Sequence, residues 1–473
     1  MPRSAASVLP QPLFDEPVFT EGKPTPDPNR FKVPHPSDAK LYAEVQRLLY
    51  EDVVAIPDSR APPNALYSLE TVWGPHGPEI TDSARSAGRI VFHMVGDIGA
   101  STAAKYPGEL RVSDVVAWDC RTSPRNDRPL FLYILGDVIY DFGEAQYYYD
   151  QFYDPYRNYP GPILAIPGNH DSFVVPGTPP SALPLATFQR NFCSPEPVVT
   201  PEAGSLHRTA ATQPGVYFAL DAPFVRIIGL FSNALEDPGV ISSEGGMWKT
   251  LQDTQLEFLS SQLSRIKVER YPGAILLATH HPAFCYAPPT SHGGAGGIHG
   301  SSPRMLADVD TICKEHGVYP HAVLSGHAHN YQRYTRTVRF SDQHFQVPFI
   351  VCGDGGHGID KLVQASGGTT PPEPRNGADV SYLDAQPVVD SSGLVLERHD
   401  DYDYGFLRVS VDNTTLRIEF HQVGVESTPT RLADVVTVDL ASHALVPSVK
   451  SPSRGGTSTS TRRRPARPSS RSG

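Results

Sequence analysis

The chain has 473 residues, 39% of them hydrophobic, and this length allows one large domain or two ordinary ones with a sizeable buried core. The formal net charge of -11 at pH 7 would repel phosphate backbones, which argues against a general nucleic-acid-binding protein. The five cysteines are scattered without a CxxC pair, which argues against a thiolate zinc site and against a dense disulfide framework.

Residues 1–85 are rich in proline and show little periodicity, so we expect an N-terminal extension that wraps the main domain. One helix is predicted within it, at residues 39–54 (AKLYAEVQRLLYEDVV). The N-terminus lacks the apolar stretch of a secretory signal, and no segment approaches the ~18 apolar residues of a membrane span. We therefore expect a cytoplasmic protein without a membrane span, with export by another route left open.

Residues 86–445 are predicted to form the main domain, because short apolar runs typical of strands buried on both faces recur from Arg89 onward. These runs are RIVFHMV, PLFLYIL, PILAIP, VRIIGLF, GAILLAT, HAVLS and VPFIVC. Segments with helical periodicity, such as TQLEFLSSQLSRI, lie between them, so strands and helices alternate as in a layered α/β architecture. The segment FLRVSVDNTTLRIEFHQV predicts a closing β-hairpin that turns at Asp412 and Asn413.

Two further segments differ from this pattern. Residues 360–403 contain many Gly, Pro, Ser and Asp residues, which predicts a loop insertion. Residues 446–473 lack the apolar side chains needed for a core and include an arginine-rich stretch. We expect the latter to be a disordered basic tail.

Four of the apolar runs end in a glycine followed by a side chain that can bind a metal ion. They give GDIG with Asp97, GDVIY with Asp137 and Tyr140, GNHD with Asn169 and His170, and GHAH with His327 and His329, while a fifth run ends directly in His280 and His281. Glycine lets the chain turn sharply and lets the backbone approach an ion that a Cβ would obstruct. Ligands of open α/β sheets bind beyond the carboxyl ends of the strands, so these ends can converge on one site.

The donor set combines carboxylate, amide, phenolate and imidazole groups, which suit iron, zinc or manganese. Seven such donors exceed what one catalytic ion accepts while it keeps an open position, whereas two ions sharing a bridging carboxylate would use them all. Such ions lie roughly 3.5 to 4 Å apart and stabilise the attacking and leaving oxygens of an in-line displacement. The pattern therefore predicts a two-metal hydrolase.

The ordered motifs GDIG, GDVIY, GNHD, THHP and GHAH resemble the signature of the calcineurin-like metallophosphoesterases, and they are most similar to the purple acid phosphatases. Many metallophosphoesterases have Asp-x-His in the first motif, where this chain has Asp97 and Gly99. In the purple acid phosphatases the tyrosine of GDxxY supplies the missing ligand, and Tyr140 stands at that position. The resemblance implies a layered α/β fold with a β-sandwich core flanked by helices and a metal site at the C-terminal ends of strands.

The resemblance also implies how the ligands divide between two ions. A trivalent ion would be held by Asp97, Tyr140, His329 and a bridging Asp137, and a divalent ion by Asn169, His280, His327 and the same bridge. His280 is preferred to His281 because the family's pattern is His-x-Pro. A phenolate in place of a neutral imidazole adds about one negative charge, which a trivalent ion would cancel. We therefore expect Fe(III) beside a divalent Fe, Zn or Mn ion.

The predicted reaction is the hydrolysis of small phosphate monoesters by a metal-bound hydroxide, as in an acid phosphatase. His170, next to Asn169, is the best candidate for protonating the leaving group. His292, His299 and His357 are candidates for substrate contacts. Two alternatives stay open: a phosphodiesterase that uses the same dinuclear site, and a catalytically silent binding protein. The sequence does not determine the oligomeric state.

Overall fold

A computed structural model describes most of the main domain. The described residues are 47, 53–173, 184–204, 206–286, 299–340, 343–362, 374–384, 389–390, 392–424 and 430–447. Nearly all of the helix predicted at residues 39–54, and the predicted tail from residue 448 onward, lie outside them, so both stay predictions. Within the described residues, no helix is long and apolar enough to cross a membrane.

The described strands form two mixed β-sheets. In chain order they are β1 Tyr67–Ser68, β2 Arg89–Val95, β3 Leu132–Ile134, β4 Ile163–Ala165, β5 Phe218–Ala222, β6 Val225–Gly229, β7 Ala274–Ala278, β8 Ala322–Ser325, β9 Tyr331–Phe340, β10 Gln343–Cys352, β11 Ala378–Asp379, β12 Leu394–Asp400, β13 Tyr404–Asp412, β14 Thr415–Val423, β15 Arg431–Asp439 and β16 Ala444–Leu445. One sheet has the order β16-β15-β14-β13-β2-β3-β4, and the other has the order β1-β5-β6-β7-β8-β10-β9-β12-β11.

The α-helices lie mostly in the connections between strands. They are α1 Leu69–Trp73, α2 Gly77–Ala87, α3 Tyr106–Thr122, α4 Ala186–Phe192, α5 Thr254–Glu269 and α6 Pro303–His316. Helix α5 covers the predicted helical segment and ends at Glu269, and the left-handed backbone of the next residue, Arg270 (φ 50°), caps the helix. Its leucines and isoleucine pack into the same core cluster as the outer faces of the strands.

The two sheets pack face to face, and helices cover their outer faces. In β2, Phe92 and Met94 contribute to a core cluster that also contains Leu276 of β7 in the opposite sheet. Val95 of β2 and Leu277 of β7 instead join the cluster formed with the helices. Because alternate side chains of one strand are buried on opposite faces, these strands appear in the sequence as continuous apolar runs. The predicted layered α/β fold with a β-sandwich core is confirmed.

The closing hairpin is also confirmed. Strands β13 and β14 pair antiparallel on either side of a turn at Asp412, whose carboxylate accepts hydrogen bonds from the backbone of Thr414 (2.7 Å) and Thr415 (2.8 Å). Strand β13 also pairs antiparallel with β2. The C-terminal part of the chain therefore completes the sheet that the first long strand begins.

The predicted loop insertion at residues 360–403 is not entirely a loop. Its last part forms β12, which pairs antiparallel with β9 and buries Leu394 and Leu396. Strand β9 was not predicted either, because its apolar side chains are interrupted by arginines. Two of them, Arg333 and Arg336, are buried, and each forms an ion pair with an aspartate of another element. These ion pairs allow charged side chains inside a buried strand, so the strand does not appear in the sequence as an apolar run.

Part of the predicted N-terminal extension packs into the domain. Strand β1 pairs in parallel with β5 at the edge of one sheet. Leu69, Trp73 and Ile80 lie in the core cluster between the two sheets. From residue 67 onward, the segment before β2 therefore contributes to the core of the sandwich.

Candidate metal centre

The seven predicted ligands lie at one edge of the sandwich, each shortly after a strand ends. Strands β2, β3 and β4 are parallel neighbours in one sheet, and β7 and β8 are parallel neighbours in the other. Their carboxyl ends therefore meet where the two sheets adjoin. None of the seven is more than 9% exposed: Asp97, Asp137, Tyr140, Asn169, His280, His327 and His329.

One group of donor atoms comes from Asp97, Tyr140 and His329. The phenol oxygen of Tyr140 lies 3.0 Å from Asp97 Oδ1 and 3.2 Å from His329 Nε2. His329 Nε2 lies 3.6 Å from Asp97 Oδ1. Donors bound to one ion at about 2.1 Å and at right angles are about 3 Å apart, so this group fits a single metal ion.

A second group comes from Asn169, His280 and His327. Asn169 Oδ1 lies 2.9 Å from His280 Nε2 and 3.1 Å from His327 Nδ1, and the two imidazole nitrogens are 3.3 Å apart. The Leu135 carbonyl can only accept, so the Nδ1–H of His280 donates to it (2.8 Å). A histidine that binds a metal must be neutral, and Nε2 of that neutral form would present its lone pair beside the Asn169 oxygen. Two acceptors that face each other in a buried site suit a cation between them.

Asp137 connects the two groups. Its Oδ2 atom lies 3.4 Å from His280 Nε2, and its carboxylate also gathers with Asp97 and His280 into a cluster that could hold a metal ion. Its other oxygen accepts a hydrogen bond from the backbone N–H of His170 (3.0 Å). This position suits a carboxylate shared by two ions, which is the role that the family resemblance implies for it.

The glycines of the motifs make room for neighbouring ligands. A Cβ on Gly168 would lie 2.0 Å from Asp137 Oδ1, and a Cβ on Gly136 would lie 2.4 Å from His280 Nδ1. A Cβ on Gly326 would lie 2.5 Å from Asp97 Oδ2. The sequence prediction assigned these glycines to the approach of the backbone to an ion. In the structure, the groups they admit are the side chains of the other motifs.

Three predicted ligands have an unfavourable backbone conformation. Asp97, Asp137 and His327 have φ values of 58°, 52° and 72°, in the left-handed region that non-glycine residues rarely adopt. The conformation of His327 lets its backbone N–H donate to Asp97 Oδ2 (2.7 Å). Backbone strain of this kind persists where the surroundings enforce it, and it concentrates at functional sites.

The first motif has no room for the histidine that many metallophosphoesterases carry there. A Cβ on Gly99 would lie 2.5 Å from the Val138 carbonyl oxygen and 2.6 Å from Gln151 Oε1. The Gln151 amide in turn bonds both the backbone N–H (2.8 Å) and the carbonyl (2.7 Å) of Tyr140. Gln151 therefore occupies the space beside Gly99 and fixes the backbone from which the phenol of Tyr140 extends.

The buried carboxylates create a field that favours a cation. Burial lowers the pKa of His280, but the carboxylates of Asp137 and Asp97 outweigh this effect and raise the pKa to about 9. Burial raises the pKa of Asp97 to about 8, although His280 opposes the increase. Burial and the same two carboxylates raise the pKa of Tyr140 well above its ordinary value. The phenol would therefore become a phenolate ligand only beside a strongly charged ion.

The predicted proton donor, His170, is buried beside the Tyr140 ring, with ring centroids 4.2 Å apart. Its Nδ1–H donates to the Asp141 carbonyl (2.7 Å), so proton transfer to a leaving group would fall to Nε2. Of the predicted substrate contacts, His299 Nδ1 lies 3.4 Å from His327 Nε2, and the His357 ring stacks on Tyr140 with centroids 3.5 Å apart. His292 lies outside the described residues.

Asp171 and Lys105 are among the residues of the site that the sequence prediction missed. Asp171, the last residue of GNHD, accepts backbone hydrogen bonds from Val138 (3.1 Å), Ile139 (3.0 Å) and Gly168 (2.9 Å). Its place within a motif was the available signal. Lys105, whose ammonium lies 2.5 Å from His357 Nε2, follows GDIGASTAA without any motif that would single it out.

The sequence profile of a family described as calcineurin-like phosphoesterase (Metallophos) matches residues 91–331, a range that contains all of the predicted ligands. No curated protein matches the chain. One similar solved structure is described as "Structure of PhoD". It is 14% identical, with a TM-score of 0.45, and the alignment covers 78% of this chain and 73% of that chain.

Proposed function

Because this chain belongs to the calcineurin-like phosphoesterase family, we propose that it is a two-metal phosphoester hydrolase and that it acts on small phosphate monoesters, as purple acid phosphatases do. The observation that carries the proposal is the arrangement of the donor atoms. The first group of three donors has spacings of 3.0 to 3.6 Å, and the second has spacings of 2.9 to 3.3 Å. The Asp137 carboxylate lies near Asp97 of the first group and His280 of the second.

The donors fit the two ions on chemical grounds. Asp97, Tyr140 and His329 would hold one ion, and Asn169, His280 and His327 would hold the other, with Asp137 between them. When bound, the ions would neutralise phosphate charge and activate a water molecule for attack.

The surrounding residues would prepare this site before a substrate arrives. Gln151 fixes the Tyr140 backbone, and the Leu135 carbonyl fixes the tautomer of His280. Low exposure of the donors keeps bulk water away from the developing charge. His170 would donate a proton from Nε2 to the leaving oxygen.

The purple acid phosphatase assignment depends on Gly99 and Tyr140. The lack of space at Gly99 excludes an imidazole there, while Tyr140 directs its oxygen at Asp97 and His329. A phenolate, Asp97 and the shared Asp137 together favour a trivalent ion over a divalent one. We therefore propose Fe(III) at this position and a divalent Fe, Zn or Mn ion at the other.

The test compares the rates at which the protein hydrolyses a phosphate monoester and a phosphate diester that have the same chromogenic leaving group. Purified protein with its metals is assayed on 4-nitrophenyl phosphate and bis(4-nitrophenyl) phosphate, beside Asp137→Asn. We expect the monoester to be hydrolysed faster, and Asp137→Asn to lower kcat/KM about 10³-fold because both ions lose a ligand. The exposed Glu79→Gln change on α2 is the control for loss of one negative charge.

Three outcomes separate the functions. A faster diester reaction would replace the monoesterase by a phosphodiesterase. Protein that carries two metal ions and hydrolyses neither ester would support a silent binding protein. Equal activity of wild type and Asp137→Asn would contradict the proposed site itself.

A further inference from the structure

Asp360 contacts the second nitrogen of a predicted ligand. Nε2 of His329 faces Asp97 and Tyr140, and its Nδ1 lies 3.0 Å from Asp360 Oδ2. A carboxylate at this distance accepts the Nδ1–H, which leaves the Nε2 lone pair for a metal. Histidine ligands of metals commonly have such a partner, which fixes the ring and raises its basicity.

The backbone of Asp360 is held against the same motif. Its N–H donates to the His329 carbonyl (2.9 Å), and its own carbonyl accepts from the Asn330 amide (3.2 Å). Two backbone bonds and one side-chain bond thus join Asp360 to the GHAH loop. The sequence prediction missed this residue because it stands at the start of a segment predicted to be a loop.

Glu236 has the equivalent position on the other group of donors. Its Oε2 accepts a hydrogen bond from the Asn169 amide nitrogen (3.3 Å). This bond determines which way the amide is oriented, and it directs Asn169 Oδ1 at His280 and His327. Without such an acceptor, the amide could rotate and present its N–H₂ group to the ion.

His299 lies between the two carboxylates. Its Nε2 is 3.6 Å from Asp360 Oδ2, and its Nδ1 is 3.9 Å from Glu236 Oε1. Asp360, His299 and Glu236 therefore form one layer of side chains around the predicted ligands, which extends from the first group of donors to the second.

We propose that Asp360 and Glu236 are positioning residues, each for one metal: Asp360 orients His329, and Glu236 orients Asn169. The inference rests on the proposed function, because it assumes that these donors hold two ions. Neither carboxylate is a ligand in this scheme. Each acts through the hydrogen bond that it accepts from a ligand.

The experiment measures metal affinity in the full chain by competition with a chelator. Asp360→Asn and Glu236→Gln keep the size of the side chain but remove the charged acceptor, and Glu79→Gln is the matched control. We expect each site variant to bind one ion about 10- to 100-fold more weakly, and the control to bind both as the wild type does.

Anomalous scattering from crystals identifies the ion that each variant loses. Asp360→Asn should lose the ion beside Tyr140, and Glu236→Gln should lose the ion beside His280. The melting temperature of the metal-free proteins should be unchanged, which a purely structural role would not predict. Asp360→Glu, which retains a carboxylate acceptor, should recover part of the affinity if Asp360→Asn folds poorly.

Variants that bind both ions as tightly as the wild type would overturn the inference alone. A third ion bound by His299, His329 and Asp360 in the wild type, and lost in Asp360→Asn, would also overturn the inference alone. Asp360 would then be a metal ligand and not a positioning residue. A wild type that binds no pair of ions would overturn the proposed function and this inference with it.

Discussion

The glycines before the predicted ligands act through the space they leave for other motifs. Gly168 precedes Asn169, but the group beside its missing Cβ is the Asp137 carboxylate from the neighbouring strand end. Gly136 likewise admits the ring of His280 from the other sheet. At the scale of single residues, each glycine therefore sets the position of a ligand that is distant in the sequence.

Gly168→Ala is expected to weaken metal binding and to lower kcat about 100-fold, because the new Cβ would lie 2.0 Å from Asp137 Oδ1 and must displace that carboxylate. Metal titration and steady-state kinetics check this. The control is Gly245→Ala, where φ is 73° and nothing lies within 4 Å of the added Cβ. It should cost about 1 kcal/mol of stability and leave metal binding intact. Wild-type kinetics in Gly168→Ala would contradict the steric role of Gly168.

Tyr140 combines a fixed ring with an oxygen directed at two other donors. Tyr140→Phe keeps the stacking on His357 but removes the oxygen, so we expect loss of the phenolate-to-iron absorption band and weaker binding of one ion. Visible spectroscopy with metal analysis measures both effects. A band that survives the substitution would show that another residue is the phenolate.

The double variant Gly99→His, Tyr140→Phe tests the space beside the first motif. A histidine Cβ would lie 2.5 Å from the Val138 carbonyl, so the imidazole should not take the place of the phenol and metal affinity should not recover. Recovery of both ions to wild-type affinity would show that position 99 can accept a ligand.

The elements that carry the ligands are held together by Asp171. Its carboxylate accepts two N–H groups of the loop after β3 and one of the loop after β4. Strands β3 and β4 are only three residues long each, so these bonds supplement a short ladder. The loops that carry Asp137 and Asn169 therefore share one buried acceptor.

Asp171→Asn is expected to lower the free energy of unfolding by about 1 to 3 kcal/mol and also to weaken metal binding, because buried N–H groups lose a charged acceptor. Urea denaturation and metal titration measure the two effects. Asp412→Asn is the control, because Asp412 accepts similar backbone hydrogen bonds in the β13–β14 turn. This turn is far from the site, since Asp412 lies opposite Arg89 in the strand register, at the end of β2 away from Asp97. It should lose stability without losing metal. Equal metal binding in both variants would contradict the role given to Asp171.

At the scale of the whole molecule, the candidate site joins the two sheets of the sandwich. Asp97, Asp137 and Asn169 follow strands of one sheet, whereas His280 and His327 follow strands of the other. Ions bound between them would connect the sheets at this edge. Metal binding and global stability should therefore be linked.

Removal of the metals with a chelator is expected to lower the melting temperature, and their return should restore it. A ligand present at 100 times its Kd stabilises the folded state by about 2.7 kcal/mol, provided that it does not bind the unfolded chain. Scanning calorimetry with and without metal measures the shift. Asp137→Asn should show a much smaller shift, and an equal shift in that variant would place the stabilising ion elsewhere.

The sequence by itself determined the strands that are buried on both faces and the donors that follow them. Runs such as RIVFHMV can be recognised as strands because both faces of β2 contact apolar layers. Asp97 follows this run closely because the chain turns at the carboxyl end of the strand, where ligands bind. The family and the layered fold follow from this local pattern. The predicted ligand roles remain to be tested by the experiments above.

Features that depend on contacts between segments distant in the sequence could be decided only by the tertiary structure. Arg333 and Arg336 are buried through aspartates far along the chain, so β9 carried no apolar signal. Asp360 and Glu236 became visible only once His329 and Asn169 were placed beside them. The family resemblance already implied how the donors divide, but their close approach required both sheets, because a spacing of about 3 Å between residues many positions apart is a property of packing and not of sequence order.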